Sequence, residues 1–147
     1  MPIQYVPNSN AAHWAWRAYN LRPMAVDAAI GVLKDNHVIG VAVFQNFNGH
    51  NIEFSYYGTN TLTLGSVRWF ARFGLNVFNP MRCTITTSQA NKRILQFLSA
   101  MGASYEGLMK DYYGSDGTKA STAVRFCISR PLIEKLARVE GRTVAWV

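Results

Sequence analysis

From Ser88 to Gly107 the chain reads SQANKRILQFLSAMGASYEG, and its opening poses a chemical question. Ile94, Leu95, Leu98 and Met101 fall at i, i+1, i+4 and i+7, one apolar face of a helix about three turns long. Ser88 and Asn91 are N-cap types, and Gly102 is the residue type that stops such a helix. Lys92 and Arg93 then stand at the helix's positive end, a poor place for cations unless an anion joins them. A second chemical group lies in IEFSYY. Glu53 is the only acidic residue between Asp35 and Glu106, and the alternation of Ile52, Phe54 and Tyr56 against Glu53, Ser55 and Tyr57 points it away from the apolar set.

The surrounding elements must bring these groups together. Residues 8–19 read as a short capped helix carrying Trp14 and Trp16, ended before Pro23. Residues 28–58 hold three strand-like runs broken by turn residues at 34–36 and 48–50, an antiparallel meander. A helix capped by Thr61 or Thr63 follows over 61–78, then a β-branched strand over 82–88 and the helix just described. Residues 104–114 and 121–131 read as a closing hairpin around the turn GSDG, with a short tail helix over 131–138. A strand, helix, strand succession demands a right-handed crossover, so the third meander strand and 82–88 are expected as parallel neighbours in a mixed sheet. Ligands of such sheets favour the place where strand carboxyl ends meet helix amino ends. Here that place is bounded by Tyr57 to Thr63 and by Ser88 to Arg93.

Composition narrows the class. At 147 residues, 49% hydrophobic and 13% aromatic, the chain reads as one α/β (α+β) domain, 1–147, that buries a core without staples. No apolar run approaches the roughly 20 residues that cross a bilayer, and MPIQYVPNSN has neither a basic nor an apolar leader region, so the expected location is cytoplasmic. Cys83 and Cys127 lie in apolar strand-like segments and read as free thiols. His13, His37 and His50 show no ligand spacing, so no metal is expected. The net charge of +7 admits nucleic acid, a membrane surface or a phosphorylated cofactor, but the fifteen Lys and Arg residues form neither a tail nor a polybasic patch.

The run N-x-R at Asn91 to Arg93, the apolar stripe, Gly102 and the Y-E-G of Tyr105 to Gly107 resemble the helix and strand that close the cofactor cleft in the GNAT superfamily of acyl-CoA-dependent N-acetyltransferases. Residues 28–129 are similar to the branch that holds ribosomal-protein acetyltransferase-like and phage-encoded members. The resemblance implies a mostly antiparallel, seven-stranded mixed sheet flanked by about four helices, its fourth and fifth strands splayed around a pantetheine arm. It also implies a last strand inserted between the fifth and sixth, which makes 82–88 and AVRFCI neighbours and brings Cys83 near Cys127. Acetyl-CoA is the implied co-substrate, without a metal, and the partner is an amine acceptor, proteins included, rather than a membrane or nucleic acid. A homodimer is compatible, and a phage-borne protein would act in the host cytoplasm.

Matched by position, Asn91 takes the place of the Asn that meets the pantetheine arm and Arg93 that of the nearby basic residue, with Tyr56 added from the strand end. At the position of the family's pyrophosphate loop stands GTNTLTLG. Thr59, Asn60, Thr61 and Thr63 there offer donors beside the free N–H groups of a helix start, Gly58 and Gly65 permit close approach, and Arg68 adds charge. Acetyl transfer needs an uncharged amine, a donor for the tetrahedral oxyanion and, where useful, a proton for the leaving thiolate. Glu53 is the expected base. Leu98 stands where many members place a general-acid Tyr, which leaves Tyr57, Tyr105, Tyr112 and Tyr113, and Tyr57 is taken with Glu53 as the catalytic pair. Two other functions stay open. One is a GNAT-fold protein that binds or assembles without catalysis. The other is a basic RNA- or ribosome-associated module that stacks bases on Trp14, Trp16, Tyr112 and Tyr113.

Overall fold

A computed structural model describes residues 3–58, 62–139 and 142–143. Strands β1 (Gln4–Pro7), β2 (Ala28–Lys34), β3 (His37–Gln45), β4 (Asn51–Tyr57), β5 (Arg82–Ser88), β6 (Ser104–Met109) and β7 (Ala123–Ser129) form one sheet in the order β1-β2-β3-β4-β5-β7-β6. Every neighbouring pair is antiparallel except β4 and β5. Helices α1 (Ala11–Ala18), α2 (Leu64–Val77), α3 (Lys92–Met101) and α4 (Arg130–Leu136) cover the sheet, and β8 (Arg138–Val139) pairs separately with β9 (Arg142–Thr143).

The nearly continuous apolar runs of β2 and β3 follow from burial on both faces. Ile30, Val32, Ala42, Phe44 and Ile52 meet Phe70 and Phe73 of α2 and Ile133 of α4. The alternate residues Ala29, Val41 and Val43 meet Ala12, Ala15 and Trp16 of α1. Leu98 of α3 packs on Val124 and Phe126 of β7, which share a sheet face with Ile128 of the α2 and α4 core. Helices α2, α3 and α4 therefore occupy one face, and α1 the other.

The meander, the parallel crossover and the insertion of β7 between β5 and β6 are as the sequence led one to expect. Cys83 pairs with Ile128 and Thr84 with Cys127, so the two free cysteines sit one register position apart on adjacent strands with their thiols on opposite sheet faces. Burial pushes the Cys83 thiol up to about 12 and raises Cys127 as well. Three features differ from expectation. The seventh strand is β1, a four-residue segment ending in Pro7 that is too short for an alternation signal and sits at a sheet edge, where proline is tolerated. The closing hairpin is shorter, because Asp116 builds a loop of its own: its carboxylate accepts hydrogen bonds from Thr118 N, Thr118 Oγ1 and Ser121 Oγ, which hold its pKa down at about 2. The tail helix stops at Leu136, and Arg138 belongs to β8.

Candidate active site

Strands β4 and β5 pair at only four positions, Asn51 with Arg82, Ile52 with Cys83, Glu53 with Thr84, and Phe54 with Ile85. Beyond that point residues 55–57 stay bonded to β3 and residues 86–88 to β7, while the two inner edges part. The N–H and C=O groups of those edges, on half-buried residues, have no ladder partner across the gap. A cavity of about 380 Å³ occupies the gap, with Ser55, Tyr56, Thr86 and Thr87 on its walls. Neighbouring residues of a strand face opposite sides of the sheet, so the cavity is lined from both faces.

Its exposed mouth is formed by Gly58 at the end of β4 and by Asn91 and Arg93 at the start of α3. The Asn91 carboxamide is lightly engaged: Oδ1 accepts from Ile94 N at 3.4 Å and Nδ2 donates to Thr87 Oγ1 at 3.5 Å. At the start of α2, Thr63 Oγ1 accepts from Ser66 N at 3.1 Å and bonds Ser66 Oγ at 3.0 Å, which in turn meets the Tyr5 hydroxyl at 2.9 Å. Neither helix has an acidic residue in its first turn, so both positive ends are left uncompensated. Leu62 and Val67 at one helix start and Asn91 and Arg93 at the other line the same cavity, an arrangement suited to an anion. The inner end is apolar and deeply buried, with Phe44, Pro80 and Ile133.

On the sheet face that carries α1, Glu53 stands one pair before the vertex of the gap, and its carboxylate accepts a hydrogen bond from Asn46 Nδ2. Beside it, Asn51 Oδ1 accepts from Thr84 Oγ1 at 2.7 Å and Arg82 Nε at 3.0 Å, and Arg82 pairs with Glu106 at 2.5 Å. Tyr57 closes the strand on the same face, 5.5 Å from the Tyr19 ring. Burial raises its phenol above the ordinary 10.0, opposed by a hydrogen bond from Ser55. Burial and its tyrosine neighbours lift Tyr113 to about 12.

Of the residues singled out from the sequence, Tyr56, Gly58, Asn91 and Arg93 meet on the cavity, while Glu53 and Tyr57 flank its vertex and rim on the opposite sheet face. Thr63 is exposed at the α2 start, where its hydroxyl accepts from Ser66 N and bonds Ser66 Oγ. Gly65 is exposed beside it, and Arg68 lies off the cavity wall; burial, and after it the charge of Arg68, lowers the pKa of Arg72. Thr59, Asn60 and Thr61 lie outside the described residues. Trp16 is buried and the half-buried Trp14 packs against the same α1 cluster. Ser55, Thr86, Thr87 and Phe97, which carry no signal of their own in the sequence, also line the wall. The strand alternation that framed Glu53 already placed Ser55 next to it, but nothing in the sequence announces that β4 and β5 separate there.

Among the described residues no group of His, Cys, Asp and Glu could hold a metal, and no helix is long and apolar enough to cross a membrane. The sequence matches no protein-family model and no curated protein. The fold does match solved structures. An F149G mutant of the spermidine N-acetyltransferase SpeG from Vibrio cholerae superposes with a TM-score of 0.72 at 10% identity, covering 89% of this chain and 95% of that one. The dodecameric SpeG from the same organism, in an intermediate state, gives 0.68 at 12% identity over 87% and 94%. The chain therefore has the α/β fold of the GNAT acetyltransferases.

Proposed function

We propose that this protein is an acetyl-CoA-dependent N-acetyltransferase that moves the acetyl group to a primary amine by direct attack in a ternary complex. The observation that carries the reading is the parting of β4 and β5 beyond Phe54 and Ile85, with two acid-free helix starts at its mouth. Strand edges that do not pair with each other across the gap suit an amide-bearing arm, and the helix starts suit a pyrophosphate; acetyl-CoA offers both together with the reactive thioester. Asn91 and Arg93 would hold the cofactor at the mouth, with Gly58 allowing close approach. Inside the gap, an edge N–H of β4 serves as the oxyanion donor. Glu53, on the face the acceptor approaches, takes the amine proton directly or through water. Tyr57 keeps its proton through the working pH range because burial raises its phenol, and it is the donor assigned here to the departing thiolate.

The acceptor side differs from what a polycation requires. On this face Glu53 is engaged by Asn46 and Glu106 by Arg82, and the chain carries +7 overall, so spermidine, the substrate named for the neighbours, fits poorly. An amine with at most one positive charge, on a protein, peptide or small molecule, is the better candidate. The dodecamer formed by one neighbour supports a self-associating enzyme. The test is to incubate the protein with acetyl-CoA and a panel of amino acids, peptides and polyamines while following thiol release and product mass. Amine-dependent release with a product heavier by one acetyl group is expected. Binding of acetyl-CoA without transfer to any amine would favour the binding or assembly reading.

Replacing Asn91 with Ala should shrink the rise in melting temperature caused by acetyl-CoA, while the free protein stays within about 1 kcal/mol of wild type, the usual scale of a lost cap. An unchanged ligand shift would reduce Asn91 to a cap.

A further inference from the structure

Arg125, on β7, has a guanidinium Nε that is buried and makes no hydrogen bond among the described residues. Its sheet face follows from its neighbours: Val124, Phe126 and Ile128 point to the α2, α3 and α4 side, so Arg125 points to the α1 side with Glu53, Ser55 and Tyr57. Its partner on β5 is Thr86, the first residue of that strand beyond the last pair with β4 and a wall residue of the cavity, roughly 5 Å away at Cα. On its other side the partner is Gly107, which follows the β6 bulge and has no side chain; a Cβ there would meet nothing within 4 Å. Tyr57 and Tyr19 border the same side of the gap, and Tyr112 and Tyr113, from the loop between β6 and β7, stand 4.9 Å apart by ring centroid.

We infer that Arg125 determines acceptor specificity by receiving an anionic group, so that the preferred acceptor is an aromatic or apolar amine carrying a carboxylate, such as the α-amine of a free amino acid. This rests on the acetyltransferase reading of the same gap. A buried guanidinium donor left unsatisfied is costly, whereas a carboxylate would meet it with a charge-assisted bond stronger than a neutral one. Among the described residues the carboxylates of this face are engaged elsewhere, Glu53 by Asn46 and Glu106 by Arg82, and the charge is assigned to a ligand. The tyrosines supply apolar surface with polar tips around it.

The experiment compares phenylalanine, phenylalaninamide and spermidine as acceptors, in wild type and in Arg125→Gln and Arg125→Lys, at a pH where the α-amines are largely free. Acetyl-CoA binding is measured in parallel. The wild type should show a KM for phenylalanine on the order of tenfold or more below that for its amide. Arg125→Gln should erase that difference by raising the KM for phenylalanine alone, and Arg125→Lys should restore part of it. Where acetylation is too slow to follow, the same contrast is read from the binding of phenylalanine and its amide to the protein with CoA. Equal handling of acid and amide by the wild type, or an Arg125→Gln effect that falls equally on both, overturns the inference even if acetyl transfer is intact. Failure to bind acetyl-CoA would instead overturn the reading on which it rests.

Discussion

Glu53→Gln is expected to lower the rate of amine acetylation by about a hundredfold or more near neutral pH, while acetyl-CoA affinity stays nearly unchanged. The separation follows from position. Glu53 sits one pair before the vertex of the gap, on the sheet face opposite α2 and α3, and is not on the cavity wall where the cofactor arm would lie. Glutamine preserves the size of the side chain and the bond from Asn46, but it cannot take a proton. The deficit should shrink as pH rises toward the amine's own pKa, since free amine then forms without help. Loss of the Tyr57 proton should not curtail that recovery below the ordinary tyrosine value of 10.0, because burial moves its phenol higher. Rate profiles against pH for wild type and variant, with acetyl-CoA affinity by calorimetry, give the answer. Equal profiles would remove Glu53 from the chemistry.

Phe70→Ala should cost about 3–5 kcal/mol of folding stability, a large part of the roughly 5–15 kcal/mol a domain of this kind holds. Phe70 is 4% exposed and is the hub of the aromatic packing between α2 and the sheet, with ring contacts to Tyr5, Phe54, Tyr56 and Trp69 at 5.5 to 6.4 Å. Its removal opens a void between helix and sheet that these neighbours fill only in part. A denaturant titration of this variant should show the loss, whereas Tyr112→Ala, an exposed loop residue, should stay within about 0.5 kcal/mol of wild type. A Phe70 variant within 1 kcal/mol of wild type would mean that the α2 packing described above is not what holds the sheet.

The sequence carried the architecture because its signals were local and mutually consistent. Asn91 and Gly102 bracket α3 as cap and left-handed stop, with φ at 96° for the glycine, and Thr63 caps α2. The crossover between β4 and β5 follows from chain handedness, and the insertion of β7 from the family resemblance. What stayed illegible depends on distant residues. The four-residue β1 has no periodicity of its own and gains its place only by pairing with β2. The parting of β4 from β5 leaves no mark in NIEFSYY or RCTITTS, since each strand keeps its other neighbour through the separated residues. For the same reason Ser55, Thr86 and Thr87 read as ordinary strand residues, and Arg125 as one more surface cation.

The central claim, that the gap between β4 and β5 receives the arm of acetyl-CoA, is tested most directly by amide hydrogen exchange with and without saturating acetyl-CoA. The ligand should slow exchange at residues 55–57 and 86–88, whose inner edges lack a partner across the gap, and at the first turn of α3, while the paired positions 51–54 change little. Protection confined to other surfaces, or none at saturating ligand, would contradict the account.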